Sequence, residues 1–365
     1  MTKKRFIKLA ALLVMMLAIF LFLQWFLIRT SPTTETHIRN FFKEPENSMD
    51  VGFIGASELY ADYSPPLAYA KYGYTGYNFC FEGAPGQLYN PMIDVFLDRQ
   101  SPQLLVIEIN GYLYKEDFAK RDVNYQRFID NLPLSERKIE IINDYVDEDK
   151  RINHYLPIVA YHSNWKSPVF QTGRALTRIK ESFEDYSLTK SLGTRTTSNS
   201  QKAIMRRFGK KAQITDWGIS ELEKTVQYCK DKGIENVLFI RAPHKAKLPR
   251  KSVKRVREVI ESAGYDFLNC ERMVSDEIGI DEDSDYYNDD HLNPFGCEKF
   301  TDYLGNYIMT HYNINTSHSE ETDKEWQECA DYTGKVFEKL KPLTLANEDD
   351  LYYEANVDRL MREED

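Results

Sequence analysis

Several classes of protein are excluded by what this sequence lacks. The 365 residues contain only five cysteines, which are widely spaced and form no Cys-x-x-Cys pair, so neither a zinc site nor a disulfide framework is indicated. Cys80 and Cys229 lie in apolar stretches and are expected to be buried free thiols. No internal repeat occurs, and a formal charge of -10 argues against binding to nucleic acid. The 42% hydrophobic and 28% charged residues exclude a wholly disordered, collagen-like or multi-span membrane chain.

Acidic residues are concentrated towards the C-terminus. From residue 313 onward, 15 aspartates and glutamates stand against 6 lysines and arginines, so this segment carries nearly the whole negative excess. Apolar and small residues recur there at helical spacing, at Trp326, Cys329, Ala330, Thr333, Phe337 and Leu340. They predict an amphipathic helix that Pro342 ends, and packing onto the domain is favoured over docking to another protein. Residues 347–365 are expected to form a second short helix or a disordered acidic tail.

One long hydrophobic run lies near the N-terminus. Residues 9–28 are almost uncharged and number about 20, enough to cross the hydrocarbon core of a bilayer as a helix. Four basic residues precede the run between Lys3 and Lys8, whereas only Arg29 follows closely, so the N-terminus is expected in the cytoplasm and the main domain outside. Because the run is long and ends in no small-x-small site, an uncleaved anchor is favoured over a cleaved signal peptide or a buried core helix.

The middle of the chain alternates between strand and helix patterns. Residues 31–48 are read as a polar connector, and a domain is expected from 49 to 312. Strands are predicted at 51–54, 74–81, 104–109, 237–240 and 266–269, and helices at 66–72, 91–97, 219–232 and 250–263. This order predicts an α/β domain with a mostly parallel sheet.

The segment from about 120 to 215 interrupts this rhythm with mixed polar and aromatic sequence. It is read as a mainly helical insertion, and such insertions often cover an active-site edge and select substrates. Aromatic residues around His154 and His162 could stack on sugar rings, but a small satellite core is the favoured interpretation. The segment from 313 to 365 is expected to be an acidic helical extension of the domain.

Two polar residues at opposite ends of the domain are candidates for chemistry. Ser57 directly follows a buried strand and small residues, which suits a nucleophile at the carboxyl edge of a parallel sheet, although a helix N-cap is the common role at such a junction. His291 lies in a polar, acid-rich loop before an amphipathic helix and could take a proton from the serine. Because the ends of parallel strands converge at one edge, the two side chains are expected to meet.

These residues resemble the SGNH, or GDSL-type, hydrolase superfamily. Its first block, a strand followed by Gly-Asp-Ser, is matched by Gly55-Ala56-Ser57, where Ala56 replaces the usual Asp. Its second block contributes an oxyanion-hole glycine, and the match in NFCFEGAPG implies this role for Gly83. Its third block contributes an asparagine after a strand, which implies Asn110 in IEINGYLY, although the spacing departs from Gly-x-Asn-Asp.

The fifth block of the family, Asp-x-x-His, is resembled by the segment from Asn288 to His291. Asn288 stands where the family has the Asp that orients the histidine, and an amide cannot offer the charge that stabilises an imidazolium. Asp289, Asp290 or Asp285 could substitute, or the enzyme could be a weakened Ser-His dyad. The family fold implied is a flavodoxin-like three-layer α/β sandwich.

Further residues are expected at the same sheet edge. The resemblance and the strand ends suggest that Glu58 and His244 line the substrate site, although a loop histidine without a catalytic role is the more common case. No cofactor is expected, and the pair Asp289 and Asp290 lacks a second ligand cluster for a metal. The basic stretch 244–255 is most simply a solvated helix start, but it could steer an anionic polymer towards the site.

The resemblance extends to a membrane-anchored branch of the family that acts on envelope polymers. That branch includes the D-alanyl-lipoteichoic acid biosynthesis and alginate O-acetylation proteins, and it implies an extracytoplasmic serine esterase or O-acyltransferase for acetyl or D-alanyl esters. Cell-envelope polysaccharide or teichoic acid, and a membrane-bound O-acyltransferase, are the implied partners. The alternative is a catalytically weakened scaffold that binds a glycan or the acyltransferase. A lipase-like enzyme ranks last because no apolar lid is evident.

Overall fold

The computed structural model of the protein describes residues 2–196, 213–347 and 351–353. The chain divides into two compact units: the first comprises residues 1–31 and 125–184, and the second comprises residues 32–124 and 185–365. The predicted core domain therefore belongs to the second unit, and most of the predicted insertion belongs to the first.

The strands are β1 Val51–Gly55, β2 Gly76–Cys80, β3 Leu104–Glu108, β4 Gly193–Arg195, β5 Val237–Arg241, β6 Asp266–Asn269 and β7 Leu351–Tyr353. The α-helices in the described ranges are α1 Lys3–Leu27, α2 Pro32–Phe41, α3 Ser57–Asp62, α4 Pro65–Tyr72, α5 Tyr89–Leu97, α6 Glu116–Ala119, α7 Asp122–Ile129, α8 Glu136–Tyr145, α9 Ile152–Tyr155, α10 Pro157–Tyr161, α11 Pro168–Glu181, α12 Asp216–Asp231, α13 Arg250–Ser262, α14 Pro294–His311 and α15 Glu320–Leu345.

Five parallel strands form the main sheet, in the order β2-β1-β3-β5-β6. Val51 pairs with Gly76 on one side and with Leu104 on the other, so β1 lies between β2 and β3. All five residues of β1, β2, β3 and β5 are buried, as their nearly continuous apolar sequences predict. The strand order reverses between β1 and β3, because β2 lies on one side of β1 and β3 on the other. In open α/β sheets, ligands bind at the carboxyl ends of the strands beside such a reversal.

Aromatic side chains pack against the two faces of this sheet. On one face, Phe53 contacts Tyr63, with ring centroids 4.5 Å apart, within a core cluster that also holds Phe300 of α14. On the other face, Phe41 of α2 lies 4.5 Å from Phe79 and 5.1 Å from Phe96. Because successive side chains of a strand alternate between faces, each face of the sheet has its own apolar contacts.

The segment read as a polar connector is instead partly helical. Helix α2 buries Ile38 and Phe41 completely, together with polar residues such as His37. Burial lowers the pKa of His37 to about 3, so this side chain is neutral in the core. The prediction of a connector was wrong here because two apolar residues among many polar ones were too few to mark a helix by pattern.

The C-terminal helix α15 packs on the second unit through the predicted stripe, since Trp326, Cys329 and Phe337 are buried. Pro342 does not end this helix, which continues to Leu345, because a proline so close to the end removes only one hydrogen bond of the last turn. Lys190 is fully buried, and its ammonium lies 2.7 Å from Glu44 and 2.6 Å from Glu325 of α15.

Strand β7 pairs antiparallel with β4, so residues 351–353 are neither helix nor a structureless tail. In the first unit, α8 to α11 lie within the segment predicted to be a mainly helical insertion, whereas residues 197–212 of that segment lie outside the described residues. Helix α1 is long and apolar enough to cross a membrane, and none of its apolar window is buried in the protein.

Candidate active site

The candidate site lies at the carboxyl ends of the parallel strands, within the second unit. Ser57 follows β1, Asn110 follows β3, and His244 follows β5. Gly55 at the end of β1 is required by close packing, because a Cβ there would lie 2.9 Å from the Cβ of Glu108. The carboxyl ends of β1 and β3 are thus brought together at the point where the strand order reverses.

Ser57 is the first residue of α3, and Ala56 occupies the N-cap position without a side-chain hydrogen bond. The serine is therefore not the cap of this helix. Its hydroxyl donates a long hydrogen bond of 3.4 Å to Oε2 of Glu58. A serine at this junction has its backbone N–H at a helix N-terminus, where developing negative charge is stabilised.

His291 is held by a tight loop that closes on itself. The loop forms a bridge between Tyr286 and Leu292, and the Tyr287 ring stacks on the imidazole with centroids 5.4 Å apart. Helix α14 begins immediately afterwards, because Asn293 caps it by accepting from the N–H of Phe295 at 3.0 Å, and Pro294 takes the first helical position. These local signals explain why the histidine has a defined orientation.

The side chain of Asn288 determines the tautomer of His291. Its Oδ1 accepts the backbone N–H of Asp290 at 2.7 Å and of His291 at 2.8 Å, so it is identified as the oxygen of the amide. The same oxygen lies 3.0 Å from Nδ1 of His291. Since an amide oxygen only accepts, Nδ1 carries the proton and Nε2 carries the lone pair.

Nε2 of His291 is buried and has no hydrogen-bond partner among the described residues. Burial lowers the pKa of His291 to about 4, opposed by the charge of Glu82, so the ring is neutral near pH 7. An unprotonated, unpaired Nε2 is the state of a general base. No hydrogen bond joins it to the Ser57 hydroxyl within the described part of the chain.

The helix that begins at Ser57 nevertheless contacts the loop of His291. Asp62, the last residue of α3, accepts the backbone N–H of Leu292 at 2.7 Å. At the other end of α3, Glu58 lies 3.8 Å from Nε2 of His244, which in turn lies 3.7 Å from Asp290. The structure thus brings together the elements that carry both predicted catalytic side chains.

A buried polar network lies beneath Ser57. The amide of Asn110 donates to Glu58 Oε1 and, at 3.3 Å, to the Tyr114 hydroxyl, while its oxygen accepts from Arg241 at 2.9 Å. Arg241 also lies 3.5 Å from Glu108. Because both N–H groups of the Asn110 amide are used, Asn110 donates to an oxyanion only if its bond to Glu58 or Tyr114 is released.

Two carboxyls of this network, those of Glu58 and Glu108, are shifted towards their neutral forms. Burial, and then the neighbouring Glu108, raise the pKa of Glu58 well above its usual value. Burial raises the pKa of Glu108 to about 7, against the opposing charge of Arg241. Glu271 also contacts this cation, 3.3 Å from Nε of Arg241. A carboxyl that is neutral near pH 7 can donate a hydrogen bond as well as accept one.

The remaining predicted residues are distributed around this network. His244 is buried, and burial followed by the charges of Arg241 and His291 lowers its pKa well below the usual value. Asp290 is half exposed and faces His244, Asp289 contributes its backbone oxygen to Lys245, and Asp285 pairs with Lys299 at 2.6 Å. None of these carboxylates takes the place of Asn288 at Nδ1 of His291.

Gly83 occupies the turn after β2 with φ of 69°. The turn is closed by the N–H of Ala84, which donates to Phe81 at 3.1 Å, so a residue that tolerates positive φ is needed there. The oxyanion role of Gly83 stays a prediction. Glu82 beside it exerts its charge on His291, so this turn belongs to the same edge of the sheet.

Sequence reasoning missed four buried charged residues of the site: Asp62, Glu108, Arg241 and Glu271. Two of them carried a recognisable signal, because Glu108 and Arg241 are the charged last residues of otherwise apolar strands. A charge in that position is buried and needs a partner, which points to a polar site at the strand ends. Within the described ranges, no group of three or more His, Cys, Asp or Glu residues could hold a metal ion.

No protein-family model and no curated protein sequence matches the chain. The geometry around Ser57 and His291 is therefore the basis for a function.

Proposed function

We propose that the protein is a membrane-anchored, extracytoplasmic serine esterase or O-acyltransferase with the three-layer fold of the SGNH hydrolases. Its substrates are small acyl esters, acetyl or D-alanyl, on a cell-envelope polysaccharide or teichoic acid. The observation that carries the proposal is the state of His291: Nδ1 is held by Asn288, and Nε2 is unprotonated and has no hydrogen-bond partner in the described part of the chain. A membrane-bound O-acyltransferase is the proposed partner in transfer.

In the proposed reaction, the Ser57 oxygen attacks the ester carbonyl carbon as Nε2 of His291 takes its proton. The C–O bond to the alcohol then breaks, and His291 returns the proton to the departing oxygen. In the second half, water or a polymer hydroxyl attacks the acyl carbon as His291 accepts its proton; the acyl C–O bond to Ser57 then breaks, and His291 returns the proton to the Ser57 oxygen. The products are a free acid after hydrolysis or a new ester after transfer.

The proposed oxyanion donors are the backbone N–H groups of Ser57 and Gly83, with Asn110 as a third donor after rearrangement. Each donor aimed at the developing charge is worth about 3 kcal/mol in comparable enzymes. The neutral amide of Asn288 orients the imidazole but adds no negative charge beside the imidazolium, so a slower enzyme than an Asp-containing relative is expected.

Anchoring by α1 supports an envelope substrate. The helix has 25 residues, which corresponds to about 37 Å and exceeds the roughly 30 Å of a hydrocarbon core. The basic residues at its start, between Lys3 and Lys8, favour a cytoplasmic N-terminus and export of the domain that carries Ser57. Protection of that domain from protease in intact cells would contradict this orientation.

The decisive experiment treats the full chain in detergent with a fluorophosphonate and maps the modified peptide by mass spectrometry. Modification is expected on Ser57, and both Ser57→Ala and His291→Ala should abolish it. Ser317→Ala and His311→Ala are the matched controls, because both residues are exposed in the same unit, and these variants should label normally. Acetyl and D-alanyl esters then test turnover.

A second candidate function is a scaffold that binds a glycan or an acyltransferase without efficient chemistry. It is favoured by the Ser57 hydroxyl, which bonds to Glu58 rather than to His291. Hydrogen bonds of catalytic groups often form only in the substrate complex, so this contact does not exclude the enzyme. A folded chain that fails to label at Ser57 and turns over no ester would support the scaffold.

A further inference from the structure

Helix α11 of the first unit carries an apolar stripe that faces outward. The stripe consists of four side chains with exposed fractions of 86%, 62%, 46% and 83%, namely Val169, Leu176, Ile179 and Phe183, the last just beyond the helix end. At 100° per residue these positions fall within about 80° of one another on the helix surface. We call this set the outward stripe.

The opposite side of α11 binds the end of the apolar helix α1. Arg178 donates to the carbonyl oxygens of Trp25 at 2.8 Å and Ile28 at 2.6 Å. Gln171 donates to the carbonyl oxygen of Leu27 at 3.1 Å. The last carbonyls of a helix have no partner within the helix, so these side chains cap the C-terminus of α1, and the cation of Arg178 also suits its dipole.

Helix α10 contacts the same end of α1. The N–H of Ile158 donates to the side chain of Gln24 at 2.6 Å, and Tyr161 shares a small buried cluster with Leu27 and Ile28. The guanidinium carbon of Arg29 lies 4.3 Å from the ring centroid of Phe170, which is near the start of α11. Contacts thus run from residue 24 to residue 29, the point at which the predicted span ends.

If α1 spans a bilayer, these contacts determine how far α11 lies from the bilayer surface. Residues 24–29 then lie at the outer boundary between acyl chains and headgroups. Because α11 is bonded to Trp25, Leu27 and Ile28 of that boundary region, it cannot lie far from the bilayer surface. Its outward stripe is too large and too contiguous to be left in water without cost.

We propose that α11 is an interfacial helix whose outward stripe inserts into the outer leaflet of the membrane that α1 crosses. The proposal rests on the anchor of the proposed function, but not on its chemistry. The occupant is a lipid surface rather than a protein, because α11 is bonded to the end of a helix that is long and apolar enough to span a bilayer. Amphipathic helices of this kind bury their apolar face about 5–10 Å into the headgroup and acyl boundary.

The charges around the stripe suit this placement. Arg178 and Glu181 of α11 are buried, whereas Arg174 is half-buried and Lys180 is exposed, so the charge that α11 presents outward is positive and favours an anionic leaflet. Trp165, 65% exposed just before the helix, has the amphipathic ring that is enriched at membrane interfaces. The insertion would thereby hold the first unit at a fixed orientation relative to the lipid.

The test uses the full chain in vesicles that contain phosphatidylglycerol, with a nitroxide on one introduced cysteine at a time. All five native cysteines are buried, so the label reports on the introduced site. For Leu176→Cys, we expect collisions with oxygen to exceed those with a water-soluble nickel chelate. Chelate accessibility should be at least about fivefold lower than for the exposed control Lys254→Cys on α13, because the acyl boundary excludes the chelate.

A label at Met15→Cys, in the middle of α1, checks the span in the same vesicles. If Met15→Cys reports lipid but Leu176→Cys is as accessible to the chelate as Lys254→Cys, the interfacial proposal is overturned and the anchor stands. An immobilised label at Leu176→Cys that neither quencher reaches would mean a protein contact, which also overturns it. If Met15→Cys reports water, the anchor and this inference fail together. Labelling of Ser57 by a fluorophosphonate is unaffected by any of these results.

Discussion

Asp62 accepts the backbone N–H of Leu292 at 2.7 Å, across 230 positions of the chain. This bond connects the end of the helix that begins at Ser57 with the residue next to His291. The second oxygen of Asp62 has no hydrogen-bond partner among the described residues, and burial raises the pKa of this carboxyl well above its usual value. Asp62 is therefore a positioning residue, and its neutral form is favoured by its surroundings.

Asp62→Ala should destabilise the protein by about 1–3 kcal/mol, because it leaves the Leu292 N–H buried without an acceptor. Asp62→Asn keeps an acceptor oxygen and should cost less. Urea unfolding of the full chain in detergent measures both. The exposed Asp331→Ala on α15 is the control and should change stability by less than about 0.5 kcal/mol. Equal losses for the alanine and asparagine variants would show that the bond to Leu292 is unimportant.

Asn288→Asp should raise kcat/KM for ester hydrolysis by at least about tenfold, since a carboxylate stabilises the imidazolium that forms on His291. The three hydrogen bonds that Asn288 accepts can all be made by a carboxylate oxygen. Asp289→Asn is the matched control, because the Asp289 side chain does not contact His291, and it should leave the rate unchanged. A fall in rate with Asn288→Asp would contradict the assigned role of His291.

The pH dependence of kcat/KM should reflect the buried imidazole. Burial lowers the pKa of His291 to about 4, so the base form persists as the pH falls from 7 and activity declines only near pH 4. In Asn288→Asp the added negative charge favours the imidazolium, and this acidic limb should move upward. An acidic limb near 6.5 in the wild type would indicate a solvated histidine and argue against the burial described above.

Gly218→Ala should destabilise the protein by about 1–3 kcal/mol through overpacking. A Cβ at Gly218 of α12 would lie 2.1 Å from the carbonyl oxygen of Tyr112, a backbone atom in the turn that follows β3. Gly334→Ala on α15 is the matched control, because nothing lies within 4 Å of its Cβ, and it should stabilise the helix by about 0.5–1 kcal/mol. Denaturant unfolding distinguishes the two, and equal effects would contradict the close approach of α12 to Tyr112.

The five strands of the main sheet could be predicted because each is a short apolar run followed by a turn or helix signal. The loop of His291 could also be predicted from the sequence, since its polar residues end at the helix start marked by Asn293 and Pro294. These features are local, and their cause lies within a few residues of the chain. Local pattern therefore carried most of the α/β architecture.

The parts that were missed depend on contacts between distant segments. The buried α2 is defined by Phe41 packing on Phe79 and Phe96, which no local pattern reveals. Likewise, Asn110 was expected to face substrate, but Arg241, 131 positions away, and Glu58 take up its amide. A polar residue chosen by motif can be assigned a role only when its competing partners are known.

The pairing of Lys190 has a consequence for the order in which the protein matures. Lys190 has a left-handed backbone with φ of 48°, and its ammonium depends on Glu44 and on Glu325, 135 positions later. A nascent chain emerges from the ribosome N-terminus first, so this lysine appears long before its second counter-ion. The second unit therefore completes its folding only when α15 has been synthesised, and a chain that stops before residue 325 would leave the buried Lys190 without its second counter-ion.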